Sequence, residues 1–194
     1  MNTFYSSVFS LKNCHLAACF SLLLATGCEE VSRTYNSGLD QLPALFSDDF
    51  SGPDLAPAWK TTGDGAKLEN GTLVVEGLHN HPVWLTTKLP DDVVITFDVW
   101  SESEEGDIKI ELAGDGKSYA KSVNYRASGY VLIFGGWNNR LNVIARQDEH
   151  GKDRKATDSP RVEPNRRYQM RITRDGNQIR WEVDGQELLL FDDP

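Results

Sequence analysis

No cysteine follows Cys28; the three in this 194-residue chain are Cys14, Cys19 and Cys28. Residues 29–194 therefore hold no internal disulfide, no Cys-ligated zinc and no thiol nucleophile. Cations are also scarce: 20 Lys and Arg stand against 29 Asp and Glu, a formal charge of −9. That balance repels a phosphate backbone and excludes nucleic acid as a natural partner, while suiting neutral ligands or cations. Long hydrophobic runs are missing too. The longest, Leu16 to Ala25, falls well short of the roughly 20 residues that span a bilayer as a helix. No segment sustains a helical apolar period, so helix is not expected as a building unit. What remains, 39% hydrophobic residues, suffices for one core.

The N-terminal stretch carries one cation, Lys12, then the apolar run, then small residues ending at Cys28. This is the layout of a secretory leader. Its last residues, "LLATGC", resemble the bacterial lipoprotein signal, in which a Leu/Ala-rich triplet ending in Gly or Ala precedes a Cys. The resemblance implies a signal peptide over 1–27, cleavage before Cys28 and lipidation of that residue. Glu29 rather than Asp follows, which by analogy with Gram-negative sorting points to the outer membrane, with the domain facing the periplasm or the cell surface. The lipid anchor would be its only link to a membrane. Residues 28–44, ending near Pro43, lack an apolar pattern and read as lipidated Cys plus flexible tether.

From residue 45 onward, short alternating runs are separated by Gly, Asp and Asn turns: "TLVVEG", "VWLTT", "VVITFDVW", "DIKIELAG", "SYAKSVNY", "GYVLIF", "RLNVIAR", "RYQMRITR", "QIRWEV" and "ELLLF". Asp175-Gly176 and Asp184-Gly185 separate the last three, a strong hairpin signal. About ten strands so spaced predict an all-β antiparallel sandwich or barrel. The one long loop, Gln147 to Asn165, is charged and contains prolines.

The pieces "LFSDDFSGPDLAPAW", "NGTLVVEG", "ITFDVW" and "RYQMRITRDGNQIRWEVDGQELLLFDD" resemble the concanavalin A-like, laminin-G-type jelly rolls over residues 45–194. The resemblance implies a jelly-roll β-sandwich whose concave sheet face binds saccharides, with no cofactor beyond a structural calcium ion. Calcium would sit where the first and last strands meet, near Asp49 and Asp184. Such domains usually continue into one further strand beyond "FDDP", so a sandwich lacking that strand is expected.

Within "GDIKIEL", Asp107, Lys109 and Glu111 alternate with Ile108, Ile110 and Leu112, so the polar three should share one strand face. The spacing resembles the E-x-D-x-E strand of laminarinase-like hydrolases, with Asp107 on the nucleophile and Glu111 on the acid/base. Retaining hydrolysis needs carboxyl groups about 5–5.5 Å apart, and Lys109 between them favours both ionised, so binding is the better expectation. "FGGWNN" sets Trp137 beside Asn138, Asn139 and Arg140, an apolar plate ringed by planar donors, as sugar binding requires. His79, His81 and Trp84 in "GLHNHPVW" and Arg146 in "RLNVIAR" complete the expected ligand face. His81 and His150 are further acid/base candidates, and His79, His81, His150, Asp148 and Glu149 could form a metal site if the fold assembled them.

The sequence thus leads to a lipid-anchored, non-catalytic carbohydrate-binding domain. The alternatives are a glycoside hydrolase using these carboxylates or histidines, and a structural envelope lipoprotein.

Overall fold

The computed structural model describes residues 6–10 (main chain only), 38–121 and 125–193. The expected lipidation site Cys28, the tether up to residue 37 and most of the expected leader lie outside the described residues. Among those described, no helix is long and apolar enough to cross a membrane.

Thirteen strands make up the described fold: β1 Ser6–Ser10, β2 Trp59–Thr61, β3 Ala66–Leu68, β4 Leu73–Glu76, β5 Val83–Leu85, β6 Val93–Ser101, β7 Ile108–Leu112, β8 Tyr130–Gly135, β9 Leu141–Arg146, β10 Lys155–Thr157, β11 Tyr168–Asp175, β12 Gln178–Val183 and β13 Gln186–Asp192. They form a seven-stranded sheet, β13-β12-β11-β6-β1-β4-β3, a four-stranded sheet, β10-β9-β8-β7, and a ribbon of β2 and β5. All pairings are antiparallel. The all-β antiparallel sandwich expected from the alternation is therefore observed.

Alternation decides which side of each sheet is dry. On the seven-stranded sheet Phe97, Val99, Tyr168, Met170, Ile172, Ile179, Trp181 and Phe191 are buried, and they meet Ile108, Leu112, Leu132, Phe134 and Ile144 of the other sheet in one cluster. Phe134 sits at the junction, edge-on to Tyr168 at 5.0 Å and to Trp181 at 6.1 Å. Trp181 is fully buried, with its indole N–H directed at the sulfur of Met170. At roughly 25 cal/mol per Å² of apolar surface, this cluster is the main source of stability.

Turn chemistry sets the register. Asp184 and Gly185 both have positive φ, 52° and 77°, and connect Val183 to Gln186 as a two-residue turn of the type I′ class. At the preceding hairpin Asp175 pairs with Gln178, so the loop is Gly176-Asn177 rather than Asp175-Gly176, with Gly176 taking the positive φ.

The expectations from sequence need several adjustments. Ser6–Ser10 falls inside the span read as leader, yet its main chain pairs with β4 on one side and β6 on the other. "SYAKSVNY" forms no strand over its described residues; Tyr125 and Ser128 instead fold across the four-stranded sheet, bonded to Glu111. The long loop 147–165 contains β10, paired with β9. Trp100 and Trp59 are only half-buried: Trp100 lies under the Arg167 guanidinium at 4.6 Å, and Trp59 donates to Asp48 at 2.8 Å.

Candidate functional site

Register places the expected site residues on two different surfaces. Lys109 pairs with Ile133 and Ile133 with Val143, while Glu111 pairs with Val131 and Val131 with Ala145. Directly opposite residues share a face, so these six lie on the outer side of the four-stranded sheet, away from the main core. A smaller cluster covers that side: Val131, Ile133, Val143 and Ala145 packed under Ala127, Tyr125, Trp137 and Leu141. Arg146 pairs with Tyr130 on the inner side. It is bound to Asp193 at 3.4 Å and Asp153 at 3.8 Å, so it does not join the ligand face expected for it.

At one end of the covered face lies a shallow cavity of about 140 Å³, lined by Asp107, Lys109, Ile133, Trp137, Asn138 and Glu149. Its upper wall is a turn, Gly136–Asn139, that departs from ordinary backbone geometry. Trp137, Asn138 and Asn139 have φ of 54°, 58° and 58°, a left-handed turn closed by the Arg140 N–H donating to the Gly136 carbonyl at 2.9 Å. Asn tolerates this conformation, but a bulky residue such as Trp pays about 1–2 kcal/mol for it. Asp107 is also left-handed, at φ 65°. Strain of this kind persists only where the surroundings enforce it, and it gathers at functional sites.

The enforcement is visible. The Asn139 amide donates to the carbonyls of Val162 at 2.7 Å and Glu104 at 3.1 Å, and its oxygen accepts from the Val162 N–H at 2.8 Å. The Arg140 guanidinium donates back to the Trp137 carbonyl at 2.9 Å. Beneath the turn, Gly106 and Gly135 pack so closely that a Cβ on Gly106 would stand 2.7 Å from the Gly135 oxygen, and both have positive φ. Asn139, expected to hold ligand, is therefore a clip that holds the turn, because both its amide atoms are committed to main chain, while Arg140 commits its Nε alone and stays exposed.

Trp137 is kept upright by the 147–154 loop. The His150 ring meets it edge-on at 5.5 Å, and the Arg154 guanidinium lies 5.1 Å from its centroid while donating to the Glu149 carbonyl at 2.8 Å. On the floor, the Lys109 ammonium bridges two carboxylates, Glu149 at 3.2 Å and Asp107 at 3.6 Å. Burial pushes the Asp107 carboxyl above its usual range; Lys109 opposes that shift, Glu149 adds to it and His79 opposes it. His79, expected on the ligand face, is not among the residues that line the cavity.

Other expected members are elsewhere. Glu111 accepts from the Tyr125 hydroxyl at 2.6 Å, from the Ser128 N–H and hydroxyl at 2.7 Å each, and from the Gly129 N–H at 3.1 Å. With four donors it fastens the 125–129 segment to the sheet, which corrects its assignment as acid/base or ligand contact. Trp84 is buried, donates to the Ser118 carbonyl at 3.1 Å and underlies Gly114, where an added Cβ would come within 2.5 Å of its ring. It is a packing residue rather than a sugar plate. His81 bonds the Thr62 carbonyl at 2.8 Å and stacks on Tyr119 at 5.2 Å, away from the cavity-lining set.

The expected metal arrangements do not assemble. Among the described residues, no group of three or more His, Cys, Asp or Glu is placed to hold an ion. Asp49 caps its own turn through the Ser51 N–H at 3.0 Å, and Asp184 accepts from Arg166 and from the Gln169 N–H, each at 2.9 Å. One Asp49 oxygen and both Asp184 oxygens are thus engaged in turn and strand-end hydrogen bonds.

Three residues at the cavity carry no ligand-contact expectation from sequence: Ile133 and Glu149, which line it, and Arg154, which lies over the Trp137 ring. Glu149 was in view as part of "RQDEHG", but only as a metal ligand; the signal that could have placed it was the length and charge of the loop after β9, whose return over Trp137 no local pattern encodes.

No family model matches this chain, and no curated protein matches it. Among solved structures, the carbohydrate binding module CBM66 from Bacillus subtilis is similar over 70% of this chain and 80% of that one, with 10% sequence identity and a TM-score of 0.33.

Proposed function

We propose that this protein is a lipid-anchored, concanavalin A-like domain that binds the end of a neutral saccharide in the cavity beside Trp137. One observation carries the reading: a strained, clipped Trp137 stands over a recess whose polar lining is Asp107, Lys109, Asn138 and Glu149. An indole offers an apolar plate for the CH face of a sugar ring, and carboxylate, ammonium and amide groups meet its hydroxyls. At about 140 Å³ the cavity is far smaller than the roughly 300–1,000 Å³ pockets that enclose drug-sized ligands, so a single ring or chain end suits it better than an enclosed polymer. The two carboxylates outnumber the one ammonium, which disfavours acidic sugars.

The hydrolytic alternative has one point in its favour, the raised Asp107 carboxyl, since a general acid must keep its proton near neutral pH. Its partner would be Glu149 instead of Glu111. Lys109 contacts both carboxylates and holds them as a static ion-paired floor, which supports binding over turnover.

A glycan array probed with the wild-type domain and with Trp137→Ala tests the proposal. Retention of neutral glycans by the wild type alone is the expected result; indifference of both to every glycan would favour the structural envelope role. Incubating bound glycans with the wild type and Asp107→Asn, and looking for cleaved products, separates binding from hydrolysis.

A further inference from the structure

The tether does not leave the domain at random. Asp40, in the short 3-10 helix Gly38–Gln41, accepts from the Arg171 guanidinium at 2.6 Å, and Arg171 Nε lies 3.1 Å from the Glu182 carboxylate. Arg171 and Glu182 are directly opposed across β11 and β12. Their neighbours along those strands, Met170, Ile172, Trp181 and Val183, point into the core, so the pair lies on the outer side of the seven-stranded sheet. The clasp is partly sheltered: the Arg171 side chain is 17% exposed and that of Glu182 only 3%. Shelter of this degree weakens salt screening and makes the geometry specific.

The candidate cavity is on the outer side of the four-stranded sheet, the other layer of the sandwich. The clasp and the cavity therefore face opposite ways, with both sheets and the core between them. Just after the clasp, Leu42 and Leu45 are 64% and 66% exposed, and the described residues contain just one other exposed large hydrophobic, Tyr119. Two bare leucines that follow the Gly38–Gln41 helix closely in the chain suit the interfacial zone of a bilayer.

We infer that the Asp40–Arg171–Glu182 clasp sets the domain's orientation on the membrane, with the outer face of the sheet that carries β11 and β12, and Leu42/Leu45, toward the lipid surface and the Trp137 cavity opening away from it. The inference rests on the lipid-anchor reading of Cys28. Residues 29–37 can span at most about 30 Å, so the anchoring lipid stays within reach of the clasp side, whereas reaching the cavity side would require passing around the sandwich. A partner saccharide is accordingly one that approaches from the aqueous side.

The test uses the full chain, expressed and processed, then reconstituted in vesicles of phosphatidylethanolamine and phosphatidylglycerol. Incorporation of labelled palmitate, lost in Cys28→Ser, checks the anchor itself; no incorporation overturns the anchor reading. Because residues 29–194 lack cysteine, Gln169→Cys on the clasp side and Arg126→Cys on the cavity side each take one fluorophore. With an acceptor dye on the lipid headgroups, stronger energy transfer from position 169 than from 126 is expected, and Asp40→Ala should abolish the difference. Stronger transfer from 126, or a difference indifferent to Asp40→Ala, in palmitate-labelled protein overturns the orientation while leaving the anchor intact. Leu42→Trp supplies an independent readout: its emission should be quenched by brominated lipid, and the absence of quenching overturns the interfacial placement.

Discussion

The Tyr125 hydroxyl donates to Glu111 at 2.6 Å, whereas Asp107, four residues earlier, faces Lys109 at 3.6 Å; two carboxylates of one short segment serve unrelated ends. Glu111 secures a loop, and burial together with the Glu111 carboxylate raises the Tyr125 hydroxyl pKa, so the hydroxyl keeps its proton and remains the donor of this bond throughout the physiological range. Glu111→Ala would leave several half-buried donors without their acceptor and should cost about 2–3 kcal/mol of stability. Urea denaturation measures the loss. Glycan binding by the folded variant should be unchanged within a few-fold, and a complete loss of binding with stability intact would return Glu111 to the site.

Trp137 combines a strained backbone with a half-buried ring that lines the cavity, so the two effects can be separated by substitution. Trp137→Gly removes the ring but also relieves the left-handed strain, and should be about 1 kcal/mol more stable than Trp137→Ala. Both should lose saccharide affinity by about tenfold or more. Thermal denaturation of the two variants side by side gives the first comparison and calorimetric titration the second. Equal stabilities would mean that the turn relaxes without its indole.

How far the chain could be read in advance depended on the range of the forces involved. The alternation in "IKIEL" and the Asp184-Gly185 turn are local: a period of two and a pair of positive φ values follow from neighbouring residues alone. Trp137, Asn138, Asp107 and Lys109 are expected on one ligand face from their residue types, and all four line one cavity. The same logic failed for Asn139 and Trp84. The Asn139 amide is taken up by Glu104 and Val162, 35 and 23 residues distant, and Trp84 packs beneath Gly114. Those partners are fixed by loop return across the sheet, which residue type and spacing do not encode.

Binding should depend on pH through Asp107. Its carboxyl pKa is raised in the folded protein, mainly by burial, so it protonates at a higher pH than a free Asp. As an anion it accepts sugar hydroxyls; protonated, it loses acceptor capacity and weakens its hold on Lys109. Affinity should therefore be full above the raised pKa and fall as the pH drops through it, with Asp107→Asn weak and flat over the same range. For stability the sign is opposite. An acid with a raised folded pKa favours folding in its neutral form, so its contribution is present at low pH and is lost as the pH climbs through that pKa. Parallel titrations of affinity and unfolding free energy between pH 4 and 8, on the order of the range where carboxylates and His titrate, check both slopes. Slopes of the same sign would show that another group dominates.

The place of Ser6–Ser10 yields the last expectation. Its main chain pairs with β4 from Ser6 to Phe9 and with β6 from Ser7 to Ser10, joining β4 and β3 to the rest of the seven-stranded sheet. A chain cleaved before Cys28 lacks this strand, so the inner edges of β4 and β6 lose their partners, each hydrogen bond being worth about 1 kcal/mol net. Hydrogen exchange should then accelerate at 73–76 and at those amides of 98–101 that point away from β11, while β11 and β12, anchored by Trp181 and Met170, stay protected. Comparing the full chain with one starting at Cys28 makes the test direct. Identical protection in the two would mean that β4 and β6 are held by something other than Ser6–Ser10, and that this segment is free to serve wholly as a leader.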